Sequence, residues 1–204
     1  MERISEGAEA LIYAETYMGL PVVVKDRISK RYREPLLDSR IRTQRTRSEA
    51  KITALASSNG ASVPKILHMS GTWLYIGRIN GDTLNTVVPT ATLMREAGRQ
   101  LAILHGIDIA HGDYTPANLM VDGKNALWVI DFGLSEITSS PESKALDVLL
   151  MKRSVGGAAY RDFLEGYRAG NKESGKILEK LAGIEKRGRY QSRTLARITA
   201  GKSG

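Results

Sequence analysis

Cysteine is absent from this 204-residue chain, which removes both a disulfide framework and a thiolate metal site. Histidine is scarce: His68, His105 and His111 stand at intervals that match no zinc motif, so the metals left open to the chain are hard cations on oxygen ligands. Apolar runs are short. The longest, such as Leu20 to Val24 and Ala126 to Ile130, fall far below the roughly 20 residues of a membrane-spanning helix. A basic start followed by an apolar stretch is also missing, since Glu2, Arg3 and Glu6 stand among the first residues. These absences set the expectation of a soluble protein located in the cytoplasm. No internal repeat or low-complexity segment is present.

What is present is an ordinary globular composition, 42% hydrophobic, on a chain long enough to bury one core or to form two small lobes. Lys and Arg number 30 against 22 Asp and Glu, and the excess is gathered in two places. Between Lys25 and Lys51 there are ten basic and four acidic residues, and between Lys176 and Gly204 eight basic and two acidic. Clusters of this kind bind phosphates, nucleic acid or an acidic partner through counterion release. The first reads equally well as a solvated face, whereas the tail reads as a binding element.

Periodicity divides the chain. Arg3 to Lys25 alternates turn residues with apolar pairs and predicts a short antiparallel sheet ending on the β-branched strand Pro21 to Lys25. Asp38 to Ala56 predicts a helix stopped at Ser57 to Gly60, and strands are expected at Val63 to Met69 and Trp73 to Ile79. After about residue 79 the pattern changes. Leu93, Ala97, Leu101 and Leu104 recur at helical spacing behind a Thr92 cap, up to His105. Leu119 to Val121 and Ala126 to Ile130 predict a hairpin around a tight Asp122-Gly123 turn. From Lys144 the pattern is helical, broken at Gly156-Gly157 and Gly170, and it finishes in the basic tail.

The most specific signal is the ordered pair His111-Gly112-Asp113 with Asn118 five residues after the aspartate, then Asp131-Phe132-Gly133 beyond the hairpin. Each element alone is weak. Together they have the order and spacing of a kinase catalytic loop and metal-binding loop. ATP brings several negative charges that Mg²⁺ must neutralise, and hard cations take oxygen ligands. Asp131 and the amide oxygen of Asn118 are the expected metal ligands, which leaves Asp113 to orient a hydroxyl and accept its proton. His111 is expected to brace the loop. Such a site also needs a lysine on an inner strand gripping phosphate and a glutamate on the following helix holding that lysine. Lys25 and Glu49 occupy those positions. Ser5 to Ala10 lies where a glycine-rich loop would cover the phosphates; it holds the single glycine Gly7, with the backbone of Gly7, Ala8 and Glu9 as the candidate phosphate contact and a plain surface turn as the alternative.

At this point the residues resemble a known family, the small atypical serine/threonine kinase subunit of the KEOPS (EKC) complex, which serves threonylcarbamoyladenosine modification of tRNA. The resemblance runs over nearly the whole chain. It is carried by Gly7 to Ala10, Val23 to Arg27, Lys30 to Asp38 with its Tyr-Arg-x-Pro-x-Leu-Asp run, and Arg45 to Ala50, then by Glu142 to Asp147 and the basic Lys186 to Arg189. It implies an α+β, reduced bilobal protein-kinase-like fold: a small N-lobe over residues 1–79, of strands and one regulatory helix, and a mainly helical C-lobe over 80–204. ATP would lie between them, at a hinge near Ile76, Gly77 and Ile79. It further implies partnership with the threonylcarbamoyl-transferring subunit and other KEOPS subunits, serine autophosphorylation, and ATP hydrolysis; the charge of the basic tail adds the expectation of tRNA contact there. Ser135, Ser139, Ser140 and Ser143, just past the metal loop, are the candidates for autophosphorylation.

Two departures keep other readings open. Thr115 stands where protein kinases commonly have a lysine, and Asp-Tyr-Thr-Pro-Ala-Asn also looks like the loop of small-molecule phosphotransferases such as aminoglycoside and choline kinases. That class needs a further substrate-binding helical domain, and only about 70 residues follow Gly133. RIO-type kinases are a third relative, disfavoured by Asp-Phe-Gly at 131. The interval from Gly133 to Asp147 lacks an Ala-Pro-Glu element and is short for a peptide-binding segment. The remaining alternative is a catalytically quiet tRNA-binding scaffold.

Overall fold

The computed structural model describes residues 1–7 and 9–200, with side-chain surroundings up to Arg187 apart from Ala8. Its amino-terminal part is a five-stranded antiparallel sheet. The strands are β1 (Glu2–Glu6), β2 (Ala10–Tyr17), β3 (Leu20–Arg27), β4 (Ile66–Ser70) and β5 (Trp73–Gly77), in the order β1-β2-β3-β5-β4. Met18 and Gly19 make the two-residue β2–β3 turn, both with positive φ, as a tight hairpin of matching twist requires. The register sets Ile12 beside Lys25 and Val23 beside Ile76, so these side chains share one face.

The helix α1 (Pro35–Ser58) begins where Glu34 accepts hydrogen bonds from the Leu36 and Leu37 amides and Pro35 takes a first-turn position that needs no donor. Its buried face is mostly polar: Asp38, Thr46, Glu49, Ile52, Thr53 and Ala56. Buried polar groups must be satisfied, and here they are. Asp38 is held by Arg42 and Arg33, and the Thr46 and Thr53 hydroxyls donate to the carbonyls one turn back.

Beyond β6 (Gly81–Thr83) lies α2 (Ala91–Gly106), followed by β7 (Ile109–Ala110), a short 3-10 turn at Pro116–Asn118, β8 (Leu119–Asp122), β9 (Leu127–Val129) and β10 (Glu136–Ile137). The helices α3 (Pro141–Ser154), α4 (Gly157–Gly170) and α5 (Ser174–Ala200) complete the chain. β6, β8 and β9 form one small sheet, and β7 pairs with β10. The helices α2 and α4 touch backbone to backbone. A Cβ at Gly98 would sit 2.0 Å from the Phe163 carbonyl oxygen, and one at Gly166 would sit 1.9 Å from that of Arg95. Leu93, Ala97, Leu101 and Leu104 are buried with Tyr114, Phe163 and Tyr167 in a core that also takes in Ile52 and Ala56 of α1.

Several boundaries differ from the sequence reading. The cap of α2 is Thr90 rather than Thr92: its hydroxyl accepts the Leu93 amide, and the helix starts two residues earlier than expected because Ala91 and Thr92 are already helical. β4 starts at Ile66, not Val63, because Val63 packs into the core instead of joining the ladder. β5 stops at Gly77, where the chain leaves the sheet. The β8–β9 connection is a longer loop rather than a two-residue turn. The Asp122 carboxylate accepts the Lys124 and Ala126 amides, and Asn125 takes the left-handed conformation. No helix among the described residues is long and apolar enough to cross a membrane.

Candidate active site

A cleft of about 360 Å³ opens between the inner face of the five-stranded sheet and the β8–β9 hairpin. Ile12, Val23, Ile76, Ile79, Met120 and Ile130 give it apolar walls, and Lys25, Glu49, Asn118 and Asp131 supply its polar groups. Gly77 and Arg78 also line it, so all three residues expected at the hinge, Ile76, Gly77 and Ile79, are at its edge. A second cavity of about 420 Å³ shares Ile12, Lys25 and Asp131 with the first and extends to Gly7, Glu9, Arg27 and Gly133. The combined space is apolar at one end and densely charged at the other, which suits a planar ring joined to an anionic group.

At the charged end Lys25 Nζ donates to Glu49 Oε1 at 2.8 Å and to Asp131 Oδ1 at 2.6 Å. These three residues come from β3, α1 and the loop after β9, with 106 positions between Lys25 and Asp131. Burial alone would raise the Asp131 carboxyl, but the Lys25 ammonium and the Gly133 amide outweigh it and hold the group below the usual carboxylate range. Asp131 keeps this place with φ of 59°, a left-handed conformation that a non-glycine residue adopts at a cost. A Cβ at Gly133 would sit 2.9 Å from Asp131 Oδ1 and 3.3 Å from Lys25 Nζ, so a side chain there would push on this ion pair.

The loop His111 to Asn118 is held differently. Asp147 of α3 accepts the His111 amide at 2.7 Å, the Gly112 amide at 2.8 Å and His105 Nε2 at 3.1 Å. An acceptor-only carboxylate makes His105 the Nε2–H tautomer, so Nδ1 accepts from the Tyr167 hydroxyl at 2.8 Å. Burial pushes the His105 pKa down despite Asp147, and burial likewise lowers that of His111. His111 Nε2 donates to the Ile130 carbonyl and its Nδ1 accepts the Asp113 amide, with its ring 5.0 Å from that of Phe132. A neutral, fully engaged imidazole braces the loop, as expected for His111. Gly112 is obligatory at φ 81°, since a Cβ would meet the Leu134 carbonyl oxygen at 2.4 Å.

Asn118 Nδ2 donates to both the carbonyl and Oδ2 of Asp113 at 2.8 Å, which commits its nitrogen and leaves its oxygen uncommitted among the described residues. Asp113 has no cation partner among the described residues; its Oδ2 accepts only from Asn118. Gly7 donates to the Ala10 carbonyl, closing the β1–β2 turn, so its own amide is spent. The Glu9 carboxylate is bound by Arg45 at 2.6 Å and lies 3.5 Å from Arg27, and it is held below the usual range chiefly by the Arg45 hydrogen bond. Ala8 lies outside the described residues, as do the side chains of the basic tail beyond Arg187. Among the serine candidates, Ser135 donates to the His111 carbonyl and Ser140 caps α3 by accepting the Ser143 amide, while Ser139 is exposed.

The sequence reading took Arg27 only as part of a strand signature, Asp147 only as part of a helix signature and His105 only as a helix end. Arg27 was accessible in principle, because it stands two residues after Lys25 on a strand and must share its face. Asp147 and His105 carry no such local signal. They meet the loop only after α2 and α3 have packed.

No protein-family model matches the chain. Individual proteins do. It is 35% identical to the KEOPS complex subunit Bud32 of Pyrococcus abyssi, over 95% of this chain and 98% of that protein. It is 30% identical to the EKC/KEOPS complex subunit bud32 of Dictyostelium discoideum, over 93% of this chain and 83% of that protein. A probable bifunctional tRNA threonylcarbamoyladenosine biosynthesis protein of Methanobrevibacter smithii is 34% identical over 92% of this chain, which spans only 36% of its length. Among solved structures, the Rio2 kinase of Chaetomium thermophilum in an ADP/Mg²⁺-phosphoaspartate complex superposes with a TM-score of 0.65 at 17% identity, over 92% of this chain and 70% of that one. A likeness at that identity speaks for an atypical-kinase fold of mixed strands and helices.

Proposed function

Because the chain belongs to the Bud32 family of KEOPS complex subunits, we propose that it is an atypical serine/threonine protein kinase that uses ATP and Mg²⁺, hydrolyses ATP, and works within KEOPS in support of threonylcarbamoyladenosine modification of tRNA. The observation that carries this reading is the reach of Lys25 to both Glu49 and Asp131 in the cleft that also holds Asn118. Residues 1–79 and 80–204 act as the two lobes around it.

In this mechanism the apolar walls and the main chain at Ile76 to Ile79 take the adenine ring. Lys25, kept in place by Glu49, takes the phosphates, and the turn at Gly7, Ala8 and Glu9 covers them. The donor set fits a hard cation: Asp131 is ionised, and the Asn118 amide oxygen is turned away from Asp113. Such a cation, when bound, neutralises the charge that develops on the transferred phosphoryl group. Asp113 orients the attacking hydroxyl or water and receives its proton, its position set by the two hydrogen bonds from Asn118. The short segment between Gly133 and α3, with Ser135 and Ser140 spent on structural hydrogen bonds, favours water or a presented partner residue over broad peptide substrates.

The threonylcarbamoyl-transferring subunit and other KEOPS subunits are the proposed partners, the basic tail the proposed tRNA contact, and the cytoplasm the proposed location. The test is ATP turnover by the purified chain alone, with the transferring subunit, and with tRNA added. Turnover that survives unchanged in both Asp113→Asn and Asp131→Ala would remove the enzyme reading and leave the scaffold.

A further inference from the structure

Lys25 is not the only cation on Glu49. Arg27, next on the same face of β3, is 4% exposed, and its Nη2 donates to Glu49 Oε2 at 2.5 Å while Lys25 holds Oε1. Its Nη1 faces Glu9 Oε2 at 3.5 Å, the same oxygen that Arg45 binds. Its Nε is buried with no hydrogen-bond partner among the described residues. An orphaned donor on a buried guanidinium is unfavourable, and an apolar residue could fill a strand position at less cost. What the guanidinium does in return is join two elements, the β1–β2 turn through Glu9 and α1 through Glu49, while lying beside the loop after β9. A Cβ at Gly133 would lie 3.2 Å from Arg27 Nη2.

We propose that Arg27 is a positioning residue for the phosphate end of the cleft: it fixes the Glu49 carboxylate and the Gly7 turn so that Lys25 can exchange Asp131 for the phosphates of ATP. This rests on the reading that the cleft binds Mg-ATP. Lys25 bridges Glu49 and Asp131, so the two cations and two carboxylates of this cluster cancel. Once Asp131 turns to a metal ion, Lys25 and Arg27 against Glu49 leave one positive charge facing the phosphates. Without Arg27 that remainder is zero, and one oxygen of buried Glu49 is left without a partner. A lysine cannot substitute fully, because only a planar fork reaches Glu49 and Glu9 from one side chain.

The experiment is calorimetric binding of Mg-ATP and, separately, of adenosine to the full chain and to Arg27→Met, Arg27→Lys, Glu49→Gln and the Arg27→Met/Glu49→Gln pair. Arg27→Met is expected to weaken Mg-ATP by about 10- to 100-fold and adenosine by less than about twofold, with Arg27→Lys between wild type and Arg27→Met. The double variant is expected to lose no more than the worse single one, because both act on one contact. Equal losses for adenosine and Mg-ATP would reduce Arg27 to a folding role, and additive losses would detach it from Glu49. If Arg27→Met does not fold, Arg27→Lys decides, and wild-type Mg-ATP affinity in that variant overturns the proposal. A wild-type chain that fails to bind Mg-ATP would instead count against the function proposed above.

Discussion

At the phosphate end of the cleft, Lys25, Arg27, Glu49, Glu9 and Asp131 hold one another by charge, with Glu9 and Asp131 about half exposed. Around the loop His111 to Asn118, by contrast, neutral groups are arranged about a single buried carboxylate, Asp147, which accepts three donors. Lys25, Arg27 and Glu49 are buried, but the pair that Lys25 makes with Asp131 ends on a half-exposed carboxylate, and an ion pair at a solvated edge can be traded for the charges of a ligand at little net cost. A buried hydrogen-bond network cannot, because every group it releases is orphaned. The solvated side of the first region, Asp131 against Lys25, is therefore built to rearrange when a ligand arrives, and the second region to keep Asp113 and Asn118 where they are.

Asp113→Asn gives the widest test of that division. It is expected to lower ATP turnover by about 10³-fold or more while leaving the melting temperature near wild type, since Asp113 carries chemistry and little of the scaffold. Asp147→Ala should do the reverse in stability, costing about 3 kcal/mol in urea unfolding because three donors lose their acceptor. If Asp147→Ala unfolds no more readily than Asp131→Ala, the contrast between the regions is broken. A smaller effect comes from pH. His105 and His111 have folded pKa values below their ordinary value, so the unfolded chain takes up protons first as pH falls. Their contribution is complete well above the ordinary imidazole pKa of about 6.5 and is lost as pH drops through that value toward their folded ones, which a series of urea unfolding curves from pH 7 downward checks. The carboxylates of Glu9 and Asp131, held low, stay ionised across that window and should not contribute to the slope. Smallest is Glu9→Gln, expected to change stability by about 0.5 kcal/mol, because its pairs are half exposed.

Local chemistry made much of this legible. Leu93, Ala97, Leu101 and Leu104 marked α2, and the β-branched run before Lys25 marked β3, because both patterns reflect burial of one face. The boundaries that shifted did so for tertiary reasons. Val63 left its strand to join the core, and Asp122 used its carboxylate to close a longer loop than the Asp-Gly pair suggested. Glu9 illustrates the same limit at the site: its place in the phosphate turn was readable, but not that Arg45 and Arg27 would occupy its carboxylate.

The sequence by itself determined the inventory of the site: an ordered Asp113, Asn118 and Asp131 around a hairpin, a lysine on a strand, a glutamate on a helix, and no cysteine to offer another chemistry. Spacing along a strand, helix or hairpin is a local property, and local sterics enforce it. Only the tertiary structure decided which cations share Glu49, that Asp147 and His105 hold the loop, and that Gly98 and Gly166 let α2 and α4 meet at backbone distance. Those contacts join residues tens of positions apart, and no periodicity in the chain encodes which buried charge will find which partner.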